Sequence, residues 1–342
     1  MDFSLTSLYE FEININKNVQ KQFFNLEQTL RNINDYLDPI YILNFWIPLV
    51  GAFNHKLLIQ LTASIGIINT LASVIKWCSP EYRPIWWLKE NADNYKYNFK
   101  DIQIDPFSCD TSAGFPSTHA AAFTTFVFVL VWRLVKSILS SFDFMLYDKY
   151  LLIYAIASLL SAALWFSRLY FLFEFLHQCI LGSLFAVGLI HIFNRFSTSL
   201  LSLRKLKAVL VVFGLASLPI SAYFGMLYMD VDPFWSVRMA FKWCADPLYL
   251  KHESTPVFTL SRDFGYLLGV ALSCPLFKSY DNTANTYRKR LPVLCCMEIL
   301  NFAIRSYTPK QYGRFMFVAY EFLRNCLHSF MLLHLLPKFD VQ

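Results

Sequence analysis

The sequence predicts an all-α fold, a polytopic bundle of about nine transmembrane helices in one membrane domain over residues 1–342. Three observations predict it. Hydrophobic residues make up 56% and charged residues only 16%, whereas soluble domains carry about a quarter charged. The mean hydropathy is +0.39. Apolar runs of bilayer-spanning length recur along most of the chain. A soluble chain of this length would need two domains with well-charged surfaces, because a single core stops growing at about 250–300 residues. Disordered, collagen-like and disulfide-scaffold compositions are excluded as well.

The segment from Met1 to about Leu37 is polar and rich in Asn, without the charged n-region and apolar core of a cleaved signal peptide. Spans are then expected at about 39–54, 57–77, 118–136, 150–167, 169–193, 208–229, 261–279, 291–305 and 314–336. Arg262 and Asp263 lie at the start of the seventh, and the first and eighth are short.

Nine spans put two long polar loops, about 78–117 and 230–260, on one side with the amino terminus. The short loops opposite are basic: Arg195, Arg204, Lys205 and Lys207 crowd one, and Lys278, Arg288, Lys289 and Arg290 another. The positive-inside rule makes that side cytoplasmic and the long loops lumenal or external. The long loops carry no Asn-x-Ser/Thr sequon. The net charge of +6 is not a nucleic-acid signal, since no basic block is interleaved with aromatics on a polar face. The eight Cys follow no metal-ligand spacing, so neither metal nor cofactor is expected.

Three segments place polar residues where apolar spans meet the lumenal side. Lys76 and Arg83, followed by Trp86 and Trp87, stand about two helical turns apart at a helix end. Alone they read as interface decoration, snorkelling cations with a Trp belt. Ser117, Thr118 and His119 open the third span. Ser or Thr there caps orphan amides, the helix start suits an anion, and a His can supply a proton. The plain alternative is a helix cap with an interfacial His. Ser167 and Arg168, then Glu174 and His177, sit at the junction of spans four and five. Ionisable groups within an apolar helix are costly in lipid and mark function, or else a salt bridge that locks helices together.

Combined, the segments describe one site. Lys76, Arg83 and Arg168 supply three cations, and the amides at Ser117 and Thr118 add donors. Such a nest suits a tetrahedral dianion, with Arg matched to phosphate oxygens. His119 could protonate a leaving alkoxide, and the cations could carry transition-state charge without a metal.

The pattern Lys-x6-Arg-Pro, Pro-Ser-x-His and Ser-Arg-x5 resembles the superfamily of type 2 phosphatidic acid phosphatases and vanadium haloperoxidases. Within it the chain is most similar to the glucose-6-phosphatase family. The likeness runs from Lys76-Trp77 and Arg83-Pro84 through Cys109, Pro116-Ser117-x-His119, Ser167-Arg168-x-Tyr170 and His177-Gln178. It continues through Asp232, Trp235, Trp243-Cys244, Pro247 and Thr255-Pro256. The resemblance implies an endoplasmic-reticulum membrane enzyme of glucose metabolism and gluconeogenesis. It would hydrolyse glucose 6-phosphate to glucose and phosphate at a lumenal site, through a covalent phosphoenzyme.

Carried over by residue, Lys76, Arg83, Ser117, the Thr118 amide and Arg168 would bind phosphate. His119 would be the proton donor and later the base that activates water. The family has Gly where Thr118 stands. Its nucleophilic His lies six residues after the motif Arg, and here that position is Glu174. A carboxylate could form an acyl phosphate, or pair with Arg168 or Lys76 and fill the nest from within. His177 could take over the nucleophilic role only if the phosphate sat deeper.

The expectation is therefore a glucose-6-phosphatase-type hydrolase. The alternatives are an impaired relative that binds sugar phosphate or a partner, and a lipid-phosphate phosphatase. A lumenal hydrolase implies functional coupling to a sugar-phosphate transporter. Cys109 and Cys244 could form a disulfide or stay free thiols. The ending Pro337-Lys338-Phe-Asp-Val-Gln342 lacks the dilysine signal of some family members.

Overall fold

The computed structural model describes residues 3–92, 102–138, 146–244, 250–276, 287–307 and 313–336. Pro247, Lys278 and Pro337–Gln342 fall outside the described residues. Within them every element is helical, apart from one isolated parallel bridge between Asp110 and Lys251.

The amino-terminal polar segment forms two helices, α1 (Phe3–Gln22) and α2 (Glu27–Tyr36). Asp38 then caps α3 (Pro39–Tyr41), accepting from the Ile40 amide at 2.7 Å. A π-turn over Ile42–Trp46 leads into α4 (Ile47–Phe53). The expected first span, 39–54, is the second arm of a bent pair: residues 24–36 and 39–53 meet at 51°. Asn54 caps α5 (His55–Cys78), its carboxamide oxygen accepting from the Leu57 amide at 3.0 Å.

After α5 come α6 (Pro84–Glu90), α7 (Thr118–Ile138), α8 (Leu146–Tyr170) and α9 (Leu176–Leu201). They are followed by α10 (Lys205–Tyr228), α11 (Trp235–Trp243) and α12 (Pro256–Ser273). The last are α13 (Tyr287–Ser306) and α14 (Arg314–Phe330). Among the described residues five helices, α5 and α7 to α10, are long and apolar enough to cross a membrane, or six with the bent pair. The others expected to span are α12, α13 and α14, whose polar residues interrupt the apolar pattern. In α12 the Arg262–Asp263 pair lies inside the helix rather than at its start. Asp263 accepts from Ser73 Oγ at 2.7 Å and from Arg262 Nε at 3.0 Å, which satisfies a buried charge between α5 and α12.

The bundle is built around α5. Its most apolar stretch is 72% buried, against 11% for α10, whose flanks Leu206, Phe213 and Phe224 are exposed. Uncovered apolar flanks of this kind are what lipid would cover. Helices α7 and α9 pack with α5, α8 packs on α7, and α12 lies between α5 and α14.

The two long loops meet at one end of the bundle. Helix α6 packs on α11, Lys89 Nζ donates to the Trp243 carbonyl at 2.6 Å, and Trp77 Nε1 donates to the Pro233 carbonyl at 2.8 Å. Cys109 and Cys244 form a disulfide with Cα atoms 5.9 Å apart. Helices α1 and α2 lie against the same end. Tyr9, Ile13 and Val19 are buried there, and so are Glu12, Asn16 and Gln20 at successive i, i+4 positions.

Candidate active site

The site forms where α5, the loop before α6, the start of α7 and the junction of α8 with α9 converge. Two local expectations need correction. Lys76 and Arg83 do not share a helix: α5 ends at Cys78, and Arg83 stands in extended backbone before α6. Pro80 and Pro84, which favour extended residues before them, here Ser79 and Arg83, explain the break. Nor do spans four and five divide at residues 167–169. Helix α8 runs to Tyr170, and Phe171–Phe175 form a turn in which Leu172 takes φ 57°. That left-handed backbone is costly for leucine, of the order of 1–2 kcal/mol. Leu172 is buried against Phe175 and the tryptophans of α6, which hold it there. The turn brings Glu174 back over Arg168, so Glu174 is a turn residue rather than one inside an apolar helix.

Two glycines allow the close approach. A Cβ on Gly114 would stand 2.3 Å from Gln178 Nε2 and 2.6 Å from the Tyr82 carbonyl. One on Gly182 would meet the Ser117 carbonyl at 2.6 Å.

All three expected cations reach the site, and each is engaged by the protein. Arg168 is fully buried. Its Nε donates to Glu174 Oε2 at 3.0 Å and its Nη1 to Asn34 Oδ1 at 2.8 Å, with the Phe173 ring 4.2 Å from its guanidinium. Arg83 donates from Nε to the Ser112 carbonyl at 2.7 Å and from Nη1 to the Phe173 carbonyl at 2.8 Å. Lys76 Nζ donates to the Pro116 carbonyl at 3.1 Å and lies 3.6 Å from Glu174 Oε1. Ser117 Oγ accepts from the Ala120 amide at 3.0 Å, capping α7, and donates to Glu174 Oε2 at 2.6 Å. Thr118 is the first residue of α7 and half-buried.

A second carboxylate, Asp110, was not singled out from the sequence. It lies 3.1 Å from Arg83 Nη1, 3.8 Å from Arg168 Nη2 and 3.6 Å from Lys251 Nζ. Burial by itself would raise both carboxyls. For Glu174, Arg168, Lys76, His119 and Arg83 outweigh burial and hold it well below the usual carboxylate range. For Asp110, Lys251, Arg83 and Arg168 do the same. Lys76, Arg83 and Arg168 thus face two resident anions, so an incoming phosphate must compete with both.

His119 Nε2 pairs with Asp38 Oδ2 at 3.1 Å, a carboxylate that can fix the ring's orientation. His177 does not join the nest. Its Nδ1 meets Glu12 Oε2 at 2.6 Å and its Nε2 meets Glu81 Oε1, so both ring nitrogens are taken.

Sequence reasoning missed the part played by the first 38 residues. Glu12 holds His177, Asn16 donates to the Leu169 carbonyl at 3.2 Å, and Gln20 to the Tyr170 carbonyl at 2.7 Å. Asn34 and Asp38 reach Arg168 and His119. The available signal was the i, i+4 spacing of Glu12, Asn16 and Gln20 between apolar Tyr9, Ile13 and Val19, a polar stripe on the face that packs.

Comparison with known proteins fits this geometry. Residues 57–201, which contain every expected site residue, match the PAP2 superfamily. The chain is therefore a multi-pass membrane protein with a phosphatase-class domain. Over most of its length it is similar to human glucose-6-phosphatase 2, at 26% identity over 88% of this chain and 85% of that protein. Glucose-6-phosphatase catalytic subunit 1 of Canis lupus familiaris is 26% identical over 98% of this chain and 93% of its own. Glucose-6-phosphatase 3 of Rattus norvegicus is 27% identical over 76% and 74%. The chain is thus similar to glucose-6-phosphatases over most of its length, with the PAP2 superfamily match confined to residues 57–201. No solved structure matches it.

Proposed function

We propose that the chain binds glucose 6-phosphate in the nest of Lys76, Arg83, Arg168 and Ser117 and hydrolyses it slowly, at a lumenal site of the endoplasmic-reticulum membrane. The observation that carries this is the convergence of Lys76, Arg168 and Ser117 on one carboxylate, Glu174, held by the donors that would otherwise hold a phosphate, with Arg83 beside them on Asp110. The names of the relatives supply the substrate.

On this reading nine spans place the long loops and α1 in the lumen and the basic short loops and the carboxy terminus in the cytoplasm. The Cys109–Cys244 disulfide supports an oxidising compartment for the loop face. The substrate then needs a separate sugar-phosphate transporter to reach the site.

Turnover follows from the charges. The three cations and the Ser117 hydroxyl stabilise the dianion and the charge of the transition state. His119, oriented by Asp38, gives its proton to the sugar oxygen as the P–O ester bond breaks. A Glu174 oxygen that attacks phosphorus would form an acyl phosphate, and water activated by His119 would release inorganic phosphate and restore the carboxylate. This route is slow for two reasons. Glu174 must leave its bonds with Arg168 and Ser117 for the substrate to enter, and a paired carboxylate is a weak nucleophile. Loss of a nucleophile costs on the order of 10⁶ in rate.

The test is phosphate release from glucose 6-phosphate by the native chain, Glu174→His and Arg168→Ala in parallel. Slow release by the native chain, above Arg168→Ala and below Glu174→His, is expected. A native rate at or above that of Glu174→His overturns the role given to Glu174. Native and Glu174→His rates no higher than Arg168→Ala overturn hydrolysis, and saturable binding without release would leave a binding role.

A further inference from the structure

The proposed reaction gives no role to His177, although both of its ring nitrogens are held. Nδ1 meets Glu12 Oε2 at 2.6 Å and Nε2 meets Glu81 Oε1. A ring nitrogen bonds a carboxylate by donating a proton, so a ring set between two carboxylates is held as the imidazolium. The two carboxylates come from distant segments, Glu12 from α1 and Glu81 from the stretch between α5 and α6. Glu12 Oε1 also accepts from the His177 amide at 3.0 Å, so a side chain of α1 satisfies an orphan amide in the first turn of α9. The Tyr9 hydroxyl, also from α1, donates to Glu81 Oε1 at 3.3 Å.

The bond to Glu81 leads to the nest. The Glu81 carbonyl accepts from the Gly114 amide at 3.0 Å, and the Gly114 carbonyl accepts from Lys76 Nζ at 3.3 Å. Arg83 stands two residues beyond Glu81. Gln178, next to His177, completes the junction. Its Nε2 donates to the Tyr82 carbonyl at 2.9 Å, and its carbonyl accepts from the Ser117 amide at 3.2 Å. The segments that carry Arg83 and Ser117 are thus tied to the first turn of α9, and His177 bears the positive charge of that junction. We propose that His177 is a positioning residue: clamped as a cation between Glu12 and Glu81, it sets Arg83 and Ser117 at the spacing one tetrahedral anion needs and extends the support of the nest to α1. The proposal rests on the reading of the nest as a phosphate site. Groups that bind an anion hold it well only when the residues behind them are locked by bonds of this kind. The competing role for His177 is ring packing, since it stacks on Phe175 with centroids 5.8 Å apart and Phe175 stacks on Tyr9 at 4.9 Å. The two roles predict opposite responses to loss of charge and loss of ring.

The experiment measures inorganic phosphate binding to the full chain in detergent, well below the Tm of each variant so that only folded protein is compared. His177→Phe keeps the ring and loses the charge, whereas His177→Lys keeps the charge and loses the ring. Glu12→Gln keeps an oxygen for the His177 amide and loses the charge. His177→Phe and Glu12→Gln should each weaken phosphate binding by about two- to thirtyfold, the range for residues that act on a site without touching its ligand. The double variant should be little weaker than either, because both break one clamp. His177→Lys should stay nearer the native affinity than His177→Phe. Native affinity in His177→Phe and Glu12→Gln overturns the clamp even where Tm falls, since the role is then structural alone. Weaker binding by His177→Lys than by His177→Phe overturns it in favour of ring packing. If His177→Phe does not fold, Glu12→Gln and His177→Lys carry the comparison: His177→Lys should bind the tighter, and the reverse order overturns the clamp. If the native chain binds phosphate no better than Arg168→Ala, the nest reading itself fails. Native binding above Arg168→Ala with unchanged clamp variants removes the clamp and leaves the nest.

Discussion

The Ser117 hydroxyl donates to Glu174 Oε2 at 2.6 Å, and Arg168 Nε donates to the same oxygen at 3.0 Å. One carboxylate oxygen thus holds two groups expected to bind phosphate, one from the start of α7 and one from the end of α8. It ties the helices together and occupies the nest at the same time.

Replacing Glu174 should therefore affect stability and ligand response together. Glu174→Gln leaves Arg168 and Lys76 buried without their shared charge. It should destabilise the chain by about 3 kcal/mol, a loss typical of a broken buried pair. Inorganic phosphate at about 100 times its Kd should restore roughly 2.7 kcal/mol of that. Thermal unfolding in detergent with and without phosphate checks this. A Tm unmoved by the substitution counts against the pairing, and a lowered Tm that phosphate does not raise counts against the anion site.

Acid should unfold the chain through the same carboxylates. The folded-state values of Glu174 and Asp110 lie below their ordinary values of 4.5 and 3.8. Groups lowered in this way stabilise the fold fully above about pH 5 and lose that contribution as pH falls toward the folded-state values. The contribution of these two carboxylates should hold down to about pH 5 and then decline. Glu174→Gln should make the decline shallower, and an unchanged slope would remove Glu174 as its source.

Asp38 is expected to position His119 rather than bind phosphate. Measured in the Glu174→His background, Asp38→Asn should lower kcat by about tenfold or more, the scale of a misplaced general acid, with little change in KM. Inorganic phosphate inhibition should be unaffected. A loss confined to KM would place Asp38 in substrate binding instead.

The disulfide should matter to the loop face. Cys109→Ser or Cys244→Ser should cost about 2–4 kcal/mol. Each should also weaken phosphate binding, because Asp110 and the bridge to Lys251 follow Cys109 directly. A peptide map without reductant should recover the 109–244 pair from the native chain, and its absence would overturn the linkage.

Gly182→Ala tests the close approach of α9 to α7. The added Cβ meets the Ser117 carbonyl at 2.6 Å. An overpacking cost of about 1–3 kcal/mol and weaker phosphate binding should follow. Unchanged stability and binding would mean that Ser117 is not held by this contact.

The sequence by itself determined the membrane class, the positions of most long helices and the cations Lys76, Arg83 and Arg168. Each of these is written locally, in run length or in residue type at a fixed spacing. It also marked Glu174 as standing where the family has its nucleophilic His. Three things depended on the tertiary structure. Arg83 and Lys76 belong to different segments, separated where Ser79-Pro80 ends α5 and Pro84 opens α6. The polar amino terminus became two helices and a cap that bring Asn34 and Asp38 to Arg168 and His119 and hold His177 on Glu12. Asp110 became a resident anion through a bridge to Lys251. These are contacts between residues far apart in the chain, and no local spacing specifies them. Of the two fates open to Glu174, free nucleophile or filled nest, the fold chose pairing, because a carboxylate buried between Lys76 and Arg168 is most stable when it holds them.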